Sequence, residues 1–337
     1  MVSINKNVLF TIAYLNAMDF VPTTFEVWRH FIDIRGEKKK CDFFEVIRSL
    51  EQLEKQKIIL SENGFWKLAG YVSANFCQNR ILKQKISIAK IKKAKKWMIL
   101  LSKIPFLRAV IFDGTLAMKN SNRESDWDVL IITKKNRIWL GRLLLSLVLG
   151  LMGKRRHGEK IKNKFCLNHY LSENGLILEE SGVFVANESS FSFWMTGRDV
   201  ARRFYQMNDF KNKNFLPNFS FDLIESDKLE RIDKVSKLIL FVEELLEKIG
   251  IAGLLNELTR KSMIWKINHN PKTKKPGADI RVSNQALIFL PEPKRNLILK
   301  RAEELIEKSV KFATEKGDVR QILEFSLEKF VNNVDDD

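Results

Sequence analysis

Residues 109–133, AVIFDGTLAMKNSNRESDWDVLIIT, constrain the chain more than any other stretch. An apolar run, Val110-Ile111-Phe112, ends at a Gly114-Thr115 turn. A polar loop follows, and the chain enters a second apolar run, Val129-Leu130-Ile131-Ile132, headed by Asp126-Trp127-Asp128. Side chains alternate along a strand with period 2, so Asp126 and Asp128 point to one face. Two carboxylates held side by side repel each other, and a divalent cation relieves that repulsion. Mg2+ is commonly held by one or two carboxylates together with substrate phosphates. The Gly-Thr turn offers backbone N–H groups and a hydroxyl, which suit a phosphate tail.

Gly114-Thr115, ten residues, then Asp126-Trp127-Asp128 between apolar residues resembles the signature of the polymerase-β-type nucleotidyltransferases. Thr115 stands in the usual place of a serine and keeps the hydroxyl. Ser125 before Asp126 fits the common Ser-Asp-x-Asp form, whereas Asp113 stands where a small residue is expected. The likeness extends over residues 104–210. It implies an α/β nucleotidyltransferase core, a mixed sheet with helices. It also implies an enzyme that takes a nucleoside triphosphate as substrate and Mg2+ (or Mn2+) as cofactor. Asp126 and Asp128 would then be the catalytic, metal-holding pair, with Gly114, Thr115 and Ser125 at the nucleotide. In that family a third carboxylate stands on the strand after the pair. The matching strand here offers Asn168 and His169 but no acid. Asn168 is either a ligand through its carbonyl or a turn-capping residue. His169 reads as a packed histidine before it reads as a base. Glu159, Glu173, Glu179 and Glu180 are the acids nearby in sequence, with nothing to choose among them.

The chain has 337 residues, enough for two or three domains, and 45% apolar with 29% charged residues is an ordinary globular composition. Its 58 Lys and Arg outnumber 41 Asp and Glu, for a net charge of +17. Such an excess favours a polyanionic partner such as nucleic acid, although a lysine-rich composition alone produces the same balance. Three scattered cysteines, with four histidines, lack the spacing of a zinc site and point to a reducing, cytoplasmic setting. No signal-peptide pattern opens the sequence. The apolar run 138–152 holds Arg142 and is shorter than the ~20 residues a membrane span needs. It reads as a helix buried against the sheet, or less readily as a membrane-surface segment.

Around the core, residues 1–70 read as helices over 8–20, from residue 24, and over 41–55, followed by a hairpin of 57–60 and 65–68. Thr23 with Glu26 forms a capping-box pattern. The order resembles a winged helix, but Glu45, Glu51 and Glu54 make its third helix a poor phosphate-binding face, so packing or protein contact is expected ahead of DNA reading. Residues 71–103 form a basic linker helix. Its segment 80–97 has seven lysines and no acid, fitting a helix packed on one side and solvated on the other, or a track for phosphates. Within 104–210, strands are expected at 109–112, 127–133 and 164–171, a helix at 138–151, and a hairpin of 176–179 and 183–185. From residue 193 the chain reads as helical, over 199–209, 227–249, 254–267, 294–315 and 317–331, giving an α-helical domain over 211–337. The basic loop 269–277 would close over a nucleotide, grip RNA, or simply connect. Two functions follow: a nucleotidyltransferase, or a catalytically degenerate protein of that fold that binds nucleic acid or another protein. The acceptor, the nucleotide preference and the oligomeric state are not written in the sequence.

Overall fold

Helices α1 (Val2–Ala17), α2 (Thr24–Arg29) and α3 (Phe43–Lys55) are followed by the antiparallel pair β1 (Ile59–Glu62) and β2 (Phe65–Leu68). The computed structural model describes residues 2–34, 36–221 and 237–316. Helix α2 starts where its capping chemistry dictates. Thr23 Oγ1 accepts from Glu26 N at 3.3 Å, and the Glu26 carboxylate accepts from Thr23 N at 2.8 Å. Asp42 and Glu45 do the same for α3. Such boxes satisfy two of the amides a helix start leaves unbonded, each cap contributing about 1 kcal/mol. Helix α1 is apolar on nearly every side: Val8, Ile12, Ala13 and Tyr14 are all fully buried. A helix with that pattern needs neighbours all round. It finds them in α3 and in α11 (Arg295–Lys316), so the first and last described helices share one core.

The long helix α4 (Phe76–Leu101) carries the lysine run. Lys92, Lys93 and Lys96 face solvent on it, while Lys90 is buried and donates to Ser125 O at 2.6 Å. After α4 the chain builds a six-stranded sheet in the order β6-β3-β4-β5-β8-β7. Strand β3 (Leu107–Phe112) pairs antiparallel with β4 (Trp127–Thr133), and β4 pairs parallel with β5 (Phe165–Ser172). The crossover between these two is α6 (Ile138–Leu151), as a parallel pair requires. Both β4 and α6 occupy the residues their sequence periods mark. A four-residue helix, α5 (Gly114–Ala117), fills the turn after β3.

Three expectations from the sequence are corrected. The segment 183–185 belongs to a helix, α7 (Val183–Phe191), not to a hairpin. The apolar run after it is a strand, β6 (Phe193–Thr196), which precedes α8 (Arg198–Phe215). Residues 211–337 are not purely helical. Besides α9 (Lys237–Lys248), α10 (Ile251–Asn268) and α11, they supply β7 (Asp279–Val282) and β8 (Ala286–Leu290), and β8 pairs antiparallel with β5. An edge strand left open at β5 would expose unpaired backbone groups, and the β7–β8 hairpin covers it. The helix expected at 317–331, and the first part of that expected at 227–249, lie outside the described residues. A buried carboxylate ties α9 to the sheet: Glu243 accepts from Phe106 N at 2.5 Å and from Arg108 Nη2 at 2.5 Å. Among the described residues, no helix is long and apolar enough to cross a membrane.

Candidate metal and nucleotide site

The site lies where β3 leaves the sheet and β4 enters it. Asp113 N donates to Asp128 O at 3.1 Å, which fixes the turn against the start of β4. Gly114 then adopts a φ of +61°. A Cβ added there would fall 2.6 Å from Asp128 Oδ2, closer than atoms pack, so this backbone conformation and this approach both require glycine. The Asp113 carboxylate accepts from Gly114 N at 2.7 Å and caps α5. The Gly114 amide is therefore already taken, against the expectation that it serves a phosphate. The amides of Thr115 and Leu116 sit in the first turn of α5, where no intrahelical carbonyl reaches them. The Thr115 side chain is half-buried beside them.

Asp126 and Asp128 lie at the head of β4, and each sends a carboxylate oxygen to within 4.8 Å of the other and of Cys166 Sγ. Cys166 arrives through the parallel register, which pairs it with Asp128. The register slips between that pair and Leu130–His169, and Asn168 lies within the slip. The residue of β5 opposite Asp128 is thus Cys166, not Asn168, which the sequence offered as one reading of the third ligand. Burial, then Asp128 and Asp126, push the Cys166 thiol up to about 12. His169 is half-buried, and its buried Nε2 lacks a hydrogen-bond partner among the described residues. Burial, then Arg281, pulls it down to about 4, so it packs as a neutral ring rather than acting at the site.

Ser125 ties the loop together. Its Oγ accepts from Asn122 N at 2.9 Å, and its carbonyl holds Lys90 Nζ. Lys90 and Ser87, whose Oγ accepts from Ser121 N at 2.9 Å, fasten the loop of residues 120–125 to α4. The basic helix thus supports this loop from behind.

Negative charge is concentrated here. Burial raises the Asp128 carboxyl to about 7, with Asp126 and Asp113 adding to the effect. Asp113 is raised by burial as well. A further acid, Glu188 on α7, is held well above the usual carboxylate range by burial, then by Asp113 and Asp128. Two cations from the start of α11 and the residue before it, Arg295 and Lys294, offset part of that field at Glu188. A third cation enters the metal-ligand group itself: Arg156 Nη1 lies 2.5 Å from Asp126 Oδ2 and 3.4 Å from Cys166 Sγ. Cys166, Glu188, Arg156 and Lys294 all escaped the sequence reading. Their separation in the chain gives no sign of proximity, and the β4–β5 register that brings Cys166 in is set only in the fold.

The donor set fits a divalent cation. Two hard carboxylates converge there and burial, then Asp126 and Asp113, raise Asp128, a charge cost that a cation would relieve; the Arg156 guanidinium already bonds one Asp126 oxygen and would compete for it. Cys166 is a softer donor than a third carboxylate, and with its thiol pushed up to about 12 it brings less negative charge to the group. Compared with protein-family models, with curated proteins and with solved structures, the chain matches none.

Proposed function

We propose that the chain is a metal-dependent nucleotidyltransferase that moves a nucleotidyl group from a nucleoside triphosphate to an acceptor. One contact carries the reading: the Gly114 turn lies against the Asp128 carboxylate, at the same strand head that holds Asp126. A turn that grips phosphates and acids that hold a metal must be adjacent if one triphosphate is to touch both. Asp126 and Asp128, with Cys166, would hold Mg2+ or Mn2+. When bound, the metal would neutralise phosphate charge and make the attacking group more acidic. The Thr115 hydroxyl and the first-turn amides of α5 are placed to bind phosphate oxygens. Lys294 and Arg156 would stabilise the charge of the departing pyrophosphate. The buried free thiols Cys41, Cys77 and Cys166 fit a reducing, cytoplasmic setting.

The test is incubation of the purified protein with each labelled nucleoside triphosphate, Mg2+ or Mn2+, and total RNA. Label should move to RNA or to the protein itself, and Asp128→Asn should abolish the transfer while circular dichroism stays unchanged. Absence of transfer from every triphosphate overturns the reading.

A second reading is favoured by Arg156 at the metal-ligand group and by the missing third carboxylate. It is a non-catalytic protein of the same architecture that binds nucleic acid through α4. RNA affinity should then fall steeply with salt, as phosphate contacts release counterions. Replacing Lys92, Lys93 and Lys96 with Gln should flatten that dependence. An unchanged slope returns α4 to a supporting role only.

A further inference from the structure

Arg142 interrupts the otherwise apolar helix α6. Its guanidinium lies over two rings, with Cζ 4.1 Å from the centroid of Phe289 and 5.1 Å from that of Tyr170. Its Nη1 is buried with no hydrogen-bond partner among the described residues. Burial pulls Arg142 below its usual range, and the nearby Arg155 adds to the effect, yet an arginine keeps its charge in any protein. A buried guanidinium without an acid is costly, and stacking on aromatic faces offsets only part of that cost.

The same side chain lines a cleft of about 500 Å3 between α6, α10 and the β7–β8 hairpin. That volume is in the range of small-molecule sites. Its walls are apolar, formed by Leu143, Met263, Ile267 and Phe289 among others. Arg142, Arg155 and Lys266 line it too, and none of its lining residues is acidic. No ion pair joins any of the three cations to a described residue. Three like charges around one apolar cleft repel one another, and one multiply charged anion would satisfy all three. The basic loop at 269–277 contributes Asn270 and Thr273 to one end of the cleft.

We propose that this cleft binds a small organic phosphate, its phosphate head held by Arg142, Arg155 and Lys266 and its apolar body lying along Leu143, Met263, Ile267 and Phe289. A phosphate dianion matches several cations better than a carboxylate does, and planar guanidinium groups pair with its oxygens through two hydrogen bonds at once. The cleft shares no residue with the Asp126–Asp128 site, so the proposal stands apart from nucleotidyl transfer.

Calorimetric titration of the full chain with 1-naphthyl phosphate tests it. Saturable, one-to-one binding is expected, weakened at least about tenfold by Arg142→Met, which keeps a flexible apolar side chain between the two rings. Met at 142 also tests the charge without opening a void. Should that variant fail to fold, the double variant Arg155→Gln/Lys266→Gln alters exposed positions only and should weaken binding by about fivefold or more. The proposal is overturned if wild type does not bind, or if the double variant binds as wild type does. It is also overturned if inorganic phosphate or 1-naphthol alone binds as tightly as the naphthyl phosphate.

Discussion

Replacing Asp128 by Asn should stabilise the metal-free protein, and the gain should depend on pH in a defined way. Burial first, then the charges of Asp126 and Asp113, hold the Asp128 carboxyl at about 7 in the fold. In an unfolded chain it titrates near 3.9. Because the folded value is the higher one, ionised Asp128 opposes folding. The penalty is absent below about pH 4, grows between pH 4 and 7, and is complete above 7. Three pH units at 1.36 kcal/mol each set an upper figure of about 4 kcal/mol. Neighbouring Asp113 and Glu188 readjust once Asp128 is neutral, so a single substitution should recover about 2–3 kcal/mol of it. Urea denaturation in EDTA, followed by tryptophan fluorescence across this pH range, measures the difference directly. Asp128→Asn should be the more stable protein at about pH 8 and should converge on wild type near pH 4. Mn2+ should stabilise wild type and not the variant. A variant no more stable than wild type at the alkaline end, or a difference that does not change with pH, would refute the picture of a strained carboxylate cluster.

His169 titrates in the opposite sense. Its folded value, about 4, lies below the ordinary 6.5, so stability should fall as pH drops through that window, by about 3 kcal/mol at its lower end. His169→Asn should flatten that part of the stability profile in urea titrations. Glu243→Ala should cost about 3–5 kcal/mol in the same assay, because it leaves Arg108 and the Phe106 amide without their buried carboxylate. Arg156→Gln should tighten Mn2+ binding roughly tenfold by calorimetry, since it removes the cation that sits between Asp126 and Cys166; an unchanged affinity would show that Arg156 does not compete for the site.

What the sequence determined by itself is local. The Thr23–Glu26 box, the bounds of β4 and those of α6 follow from hydrogen-bond chemistry and apolar period over a few residues, and they appear where those patterns place them. The pairing of Asp126 with Asp128 on one strand face is local in the same sense, being set by the two-residue period. What only the tertiary structure decided is everything that depends on one segment meeting another. Residues 183–185 are apolar enough to read as a strand in isolation; they open α7, which brings Glu188 to the site. The four-residue β7 carries little pattern of its own and is a strand because β8 pairs with it and β5 needs an edge partner. Cys166 joins Asp126 and Asp128 because a parallel ladder between β4 and β5 sets one register and then slips, a relation between two strands that neither encodes alone. Arg156 and Lys294 reach the acids from segments far apart in the chain. Their positions are fixed by packing that buries apolar surface across the molecule, and the charges follow where that packing carries them.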